Sequence, residues 1–137
     1  MSSMLLEVVT PERKIYGQEV NMVLAKGIEG ELGILPNHIP FVTPLRIAAV
    51  RAKVDGQKDH VIAVHGGFME VRKDKVVILA ESAELPEEID YDRAARARER
   101  AEARLRQARD EKIDYARAQQ ALSRAMLRLG MKNNQNG

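Results

Sequence analysis

The stretch Glu84-Leu-Pro-Glu-Glu-Ile-Asp-Tyr-Asp-Arg-Ala94 divides the 137-residue chain into two kinds of sequence. Before it stand short runs of valine, isoleucine and leucine broken by glycine and proline. After it the chain is dominated by alanine, arginine, glutamate, glutamine and leucine. Pro86 marks the change, because it biases Leu85 away from helix and cannot donate to a strand ladder. Asp90 is a good N-cap, and Asp92 places negative charge in the first helical turn.

Upstream of this junction the pattern is β. Residues 4–10 place Leu6 and Val8 on one face and Leu5 and Val9 on the other, a strand buried on much of both sides. After a turn at residues 11–14, residues 15–25 form a second β run in which Val20, Met22 and Leu24 share a face. Gly27, Gly30 and Gly33 punctuate a tight turn region. Pro36 and Pro40 bar a central strand or helix, so residues 34–40 read as an ordered loop or strand edge. Strand character resumes over residues 45–54 and ends at Asp55-Gly56. Residues 61–64 and 68–72 flank Gly66-Gly67, which reads as a hairpin turn. Residues 76–80 follow a turn at 73–75. Many short strands without intervening helices argue for a β-sandwich or small barrel.

Downstream, residues 90–109 are helix by composition, with no glycine or proline. Residues 110–113 are polar enough to turn, residues 114–129 form a second helix, and Gly130 is placed for a C-terminal cap. The opening motif has an echo: Ile89-Asp90-Tyr91-Asp92-Arg93-Ala94 recurs 24 positions later as Ile113-Asp114-Tyr115-Ala116-Arg117-Ala118. Ala94, Ala97, Ala101 and Leu105 form an apolar stripe repeated by Ala118, Ala121, Ala125 and Leu129. Matching stripes joined by a short linker predict an antiparallel hairpin. The fold class is therefore α+β, a sandwich at residues 1–86, a hairpin at 87–130 and a frayed tail at 131–137.

The alanine seam is thin. Each methyl contributes at most about 0.8 kcal/mol, whereas ordering a residue costs on the order of 1–2 kcal/mol. The hairpin needs the β domain, a ligand or a partner to stay closed. Arg93, Arg100 and Arg104, then Arg117, Arg124 and Arg128, each sit one residue before a seam position, about 100° round the helix. The two-fold axis of an antiparallel pair keeps both rows on one face. With the turn near residue 111, Arg93 falls near Arg128 and Arg100 near Arg124. Converging like charges repel, and a polyanion relieves that repulsion. The plainer reading is a solvated charged face with Asp90 and Asp114 as caps.

Composition excludes several classes. A net charge of +2 with an isoelectric point near 9.0 is too weak to argue for nucleic acid unless localised. No run approaches the roughly 18 apolar residues of a membrane span, and the first residues do not resemble a signal peptide. Without cysteine there is no disulfide framework. Gly27-Ile-Glu-Gly-Glu-Leu-Gly33 lacks the lysine of a phosphate loop, and its glutamates repel phosphate. His38, His60 and His65 show no metal spacing, and no nucleophile stands with a base. The sequence supports neither catalysis nor a metal site.

The segments Glu29-Gly-Glu-Leu-Gly-Ile-Leu-Pro-Asn-His-Ile-Pro-Phe-Val-Thr-Pro-Leu45, Gly66-Gly67-Phe68-Met69-Glu70-Val71, Ala83-Glu84-Leu85 and Ile89-Asp90-x-x-Arg93-Ala94 resemble the epsilon subunit of bacterial F-type, proton-translocating ATP synthase. The resemblance runs through essentially the whole chain in order. It implies a sandwich of about ten strands and a helical hairpin, and a non-catalytic rotor subunit bound to gamma and to the ring of c subunits. It places the protein peripherally, at the cytoplasmic face of the cell membrane. It implies a hairpin that folds down or extends into the alpha/beta catalytic hexamer, restraining ATP hydrolysis. Some members bind ATP on the folded hairpin through Ile/Leu-Asp-x-x-Arg-Ala, matched by Ile89, Asp90, Arg93 and Ala94. Glu84, Arg100, Arg124 and Arg128 match further positions implicated there. ATP is thus expected as a regulatory ligand, and the arginine geometry does not require magnesium. Glu29, Glu31 and His38, on tight or proline-fixed backbone, are expected on the c-ring side. A nucleic-acid binder using the arginine helices is the alternative. Against it stand the absence of tryptophan and the interleaved acidic residues. A free-standing ATP-binding module is a third reading.

Overall fold

The computed structural model describes residues 2–107 and 112–132. The chain divides between Leu85 and Pro86 into two compact units. Among the described residues the first holds eight strands: β1 (Met4–Val9), β2 (Lys14–Val20), β3 (Met22–Gly27), β4 (Gly30–Ile34), β5 (Phe41–Lys53), β6 (His60–Val71), β7 (Lys75–Ala80) and β8 (Ala83–Glu84). They form one sheet in the order β2-β1-β7-β6-β5-β3-β4, with β8 pairing β6 off this path. All neighbours are antiparallel except β1 and β7, which run parallel.

A flat sheet of this order would keep its two ends apart. Yet one apolar cluster draws Leu6 from β1, Val20 from β2, Val23 from β3, Ile34 from β4, Val50 from β5, Ile62 and Met69 from β6, Ile78 from β7 and Ala83 from β8. The sheet therefore closes over itself as a sandwich, and the long strands β5 and β6 carry it round the corner. In β6 the cluster takes Ile62 and Val64, then Met69 and Val71. The inward-facing positions switch from even to odd across Gly66-Gly67. In β5 the switch falls between Leu45 and Val50.

Three expectations change here. Gly66-Gly67 is a bend inside one strand rather than a hairpin turn, with φ of 84° and 125°. A Cβ on Gly67 would overlap the Leu79 carbonyl and the Ala80 Cα, so glycine is needed for both reasons. The run 15–25 is two strands, broken at Asn21, with β2 at one end of the strand order and β3 beside β4 near the other. The Asn21 side chain accepts from the Asp55 amide at 2.8 Å and donates to the Ser2 carbonyl at 2.9 Å, which fixes the break. Finally, β5 begins at Phe41 and includes Pro44. Pro44 lies past the end of β3, so its missing N–H breaks no ladder bond, while its carbonyl accepts from the Ile28 amide at 3.2 Å. The described strands number eight, and since β5 and β6 each run on both sides of their bends the sandwich has about ten strand segments, as expected.

The second unit opens with a 3-10 turn at Pro86–Glu88 and continues as α1 (Tyr91–Gln107) and α2 (Lys112–Gly130). The two helices pack on one another, and the few residues between them require an antiparallel arrangement. The expected turn near residue 111 lies outside the described residues, as does most of the tail. Met131, expected to fray, is 1% exposed, and its amide donates to the Leu127 and Arg128 carbonyls. Gly130 is the last residue of α2 and lacks the positive φ of a left-handed cap. No helix among the described residues is long and apolar enough to cross a membrane.

Candidate nucleotide and partner sites

The junction builds the start of α1 in steps. Pro86 is buried, and its carbonyl accepts from the Ile89 amide at 3.3 Å and from the Tyr91 hydroxyl at 2.9 Å. Ile89 is buried behind this turn. Asp90 then caps α1: Oδ1 accepts from the Arg93 amide at 3.0 Å, and the Asp90 carbonyl accepts from the Ala94 amide at 3.0 Å. Ala94 is buried as the first seam residue. Four residues of the motif thus have distinct places: Ile89 anchors, Asp90 caps, Arg93 reaches solvent and Ala94 packs.

The echo does not repeat this. α2 begins at Lys112, which puts Asp114 inside its first turn rather than before it. Asp114 therefore supplies charge at a helix N-terminus, and the expected second cap is absent. The two copies share residues without sharing geometry.

The seam is as expected. Ala94, Ala101, Ala118 and Ala125 are buried, while Ala97, Leu105, Ala121 and Leu129 are half-buried. Arg93, Arg100, Arg104 and Arg117 are exposed, and Arg124 and Arg128 are half-buried. Antiparallel packing of these seams puts both arginine rows on one face. Arg96, exposed before the seam residue Ala97, belongs to the α1 row and was passed over in the sequence reading. Arg98 differs, since it pairs with Glu102 one turn on at 2.7 Å. Among the described residues, Arg93, Arg100 and Arg124 form no ion pair.

Glu84 belongs to the other unit. It sits in β8, where Oε1 lies 3.0 Å from Nε2 of the buried His65. Nothing in the sequence points to that pairing across 19 positions.

The expected c-ring residues occupy the opposite part of the β unit's chain. Glu29 is exposed in the β3–β4 turn, closed by the Gly27–Gly30 pair. Glu31 is exposed in β4, 3.9 Å from Lys26. His38 lies in the loop before β5, its Nδ1 donating to the Ile39 carbonyl at 2.8 Å and its ring 5.3 Å from that of Phe41. Asn37, at φ 68°, donates its amide to the Lys73 carbonyl at 2.8 Å and ties the loop to the β6–β7 turn. This loop leaves Leu35 and Ile39 exposed. A separate apolar row crosses three strands, with Phe68 opposite both Pro44 and Leu79; Phe68 is 53% and Leu79 51% exposed.

Residues 3–86 match the family described as the ATP synthase delta/epsilon chain β-sandwich domain, and residues 87–132 match its long α-helix domain. The ATP synthase epsilon chain of Brevibacillus brevis is 62% identical over 105 residues, covering 77% of this chain and 80% of that one. The epsilon chain of Alkalihalophilus pseudofirmus is 54% identical over 111 residues, covering 81% and 83%. Among solved structures, a chain of the Euglena gracilis mitochondrial ATP synthase superposes with a TM-score of 0.78 at 24% identity, over 92% of this chain and 79% of that chain. The last match concerns the fold; the family models and the bacterial relatives carry the assignment. The chain belongs to the ATP synthase delta/epsilon chain family, as an epsilon subunit.

Proposed function

We propose that the protein is a non-catalytic regulatory and coupling subunit of a proton-translocating ATP synthase rotor, peripheral at the cytoplasmic face of the membrane. The β unit docks: its exposed Phe68–Leu79 row suits an apolar contact with gamma. Glu29, Glu31 and His38, with exposed Leu35 and Ile39 beside them in sequence, suit the c-ring. The helical unit regulates: extended, its arginines meet acidic surface of the alpha/beta hexamer and restrain hydrolysis.

In the closed hairpin, ATP is the regulatory ligand. One observation carries this reading: a row of exposed arginines stands over a thin alanine seam, and Arg93, Arg100 and Arg124 have no carboxylate partner among the described residues. Arg93, Arg100, Arg124 and Arg128 hold the phosphates. Asp90, acting as the cap that fixes the Arg93 backbone, orients that arginine, and Ile89 and Ala94 hold the turn in place. The inclusion of Glu84 rests on the family resemblance alone. ATP binding to the closed state stabilises it by RT ln(1 + [L]/Kd), about 2.7 kcal/mol at a hundredfold excess over Kd.

Two measurements test the reading. A pull-down with the tagged chain should recover gamma and the c-ring; recovery of neither removes the rotor assignment. Calorimetry on the isolated chain should show ATP uptake that Arg93→Ala or Arg124→Ala weakens about tenfold or more, as expected for loss of a charge-assisted contact. No uptake at millimolar ATP leaves only the mechanical role.

A further inference from the structure

β8 is the last strand before the division of the chain, and it is two residues long. Ala83 pairs with Val64 and Glu84 with Ala63, continuing the register in which Ala80 of β7 pairs with Gly67. Between β7 and β8, the Glu81 amide donates to the Gly66 carbonyl at 3.2 Å and the His65 amide donates to the Ser82 carbonyl at 2.8 Å. Residues 81–85 thus form a strap laid along β6 at its bend. A two-residue strand has too few ladder bonds to hold itself down.

A side-chain pair adds to the packing of Ala83 and Leu85 in holding the strap. His65 is 1% exposed, and its Nε2 stands 3.0 Å from Glu84 Oε1. An ionised carboxylate only accepts, so Nε2 carries the hydrogen and donates it. Nδ1 is buried without a partner among the described residues. The ring therefore has one polar anchor, and that anchor is on the strap. A buried imidazole with its single partner on a two-residue strand gains from closure and loses its only hydrogen bond on opening.

We propose that His65 and Glu84 form a clasp that holds the strap shut, and that opening the clasp frees residues 82–85 from β6 as a unit, lengthening the tether ahead of Pro86. This goes beyond the regulatory reading above and does not depend on nucleotide binding. The pairings among the other seven strands stay closed while the strap opens, because β8 pairs with β6 alone, and Ala83 is the core residue that the opening withdraws. Such local opening is a sub-global event with its own free energy.

Native-state hydrogen exchange on the full chain tests the clasp, with the His65 amide as reporter because its acceptor is Ser82. In Glu84→Ala the His65 amide should exchange at least about tenfold faster, with β1 amides unchanged. Glu84→Gln, which keeps an acceptor for Nε2–H, should restore protection to within about threefold of the wild type. Nitrogen NMR of the wild-type imidazole should show the hydrogen on Nε2. Three results overturn the proposal: a His65 amide indifferent to Glu84→Ala, equal acceleration in β1, or a tautomer with hydrogen on Nδ1 alone.

Discussion

Asp90 and Asp114 occupy the same place in a repeated motif, but the chain uses them differently. Asp90 accepts from the Arg93 amide ahead of α1, whereas Asp114 is already helical. Replacing a side-chain cap by alanine costs about 1 kcal/mol, while an exposed charge near a helix start contributes roughly 0.3–1 kcal/mol. Thermal melts followed by circular dichroism should therefore show Asp90→Ala destabilising the helical signal more than Asp114→Ala. Equal losses would mean that the cap bond adds nothing beyond its charge. In the β unit, Glu7 shows a second residue-scale effect. Its carboxylate lies 2.5 Å from both Lys14 and Lys75, tying β1 to β2 and β7. Hydrogen bonds to Lys14 and then Lys75 draw its pKa from 4.5 down to about 2. A depressed carboxylate pKa stabilises the fold above the unfolded value and ceases to do so as pH falls through the folded one. Between about pH 4.5 and pH 2, acid should thus weaken the wild type more steeply than Glu7→Gln in chemical denaturation. Parallel slopes would show that the bridge is not formed in solution. Of these residues, the Asp90 cap was legible because capping is local. The Glu7 bridge and the His65–Glu84 pair were not, because each depends on strand register.

At the scale of elements, local chemistry identified turns and misjudged what surrounds them. Gly66-Gly67 looks like a hairpin turn because two glycines between apolar runs permit one. The structure uses the same freedom to bend β6 round the edge of the sandwich, and only the change of inward parity reveals which use is made. The expected strand over residues 45–54 leaves out Phe41–Pro44, yet past the end of β3 Pro44 disrupts no ladder and the strand runs through it. The helical seam was legible in full, since a 3.6-residue period needs no knowledge of partners. The bend gives a sharp contrast between two glycines. Gly56 has φ 76° with open space around it, while Gly67 combines φ 125° with backbone against its missing Cβ. Gly56→Ala should cost about 1 kcal/mol from backbone strain alone. Gly67→Ala should cost at least about 3 kcal/mol, because β7 must also move. Urea unfolding of the two variants separates these terms; similar midpoints would remove the close approach of β7 as the reason for glycine.

At the scale of the molecule, the division at Leu85 and Pro86 separates two kinds of stability. The apolar cluster of the β unit draws on every strand of that unit. A domain with its own complete core folds by itself, so a chain ending at Glu87 should keep a cooperative unfolding transition. Among the described residues the helical unit has a much thinner core. Its buried seam is mostly alanine, and its face carries arginines that repel one another. On the proposed regulatory reading, such a hairpin lies near its opening equilibrium, and a few kcal/mol from ligand or partner suffice to change its state. Removing it should therefore leave assembly intact while abolishing regulation. In the reconstituted enzyme, the chain ending at Glu87 should still co-purify with gamma, and ATP hydrolysis should rise. If about half of the enzyme is held braked at a given moment, the rise is about twofold. Added ATP should no longer shift the inhibited fraction, because both helices proposed to bind it are gone. Co-purification with unchanged hydrolysis would mean that the helices are not the brake. Loss of co-purification from a folded β unit would instead move the docking surface onto the helices.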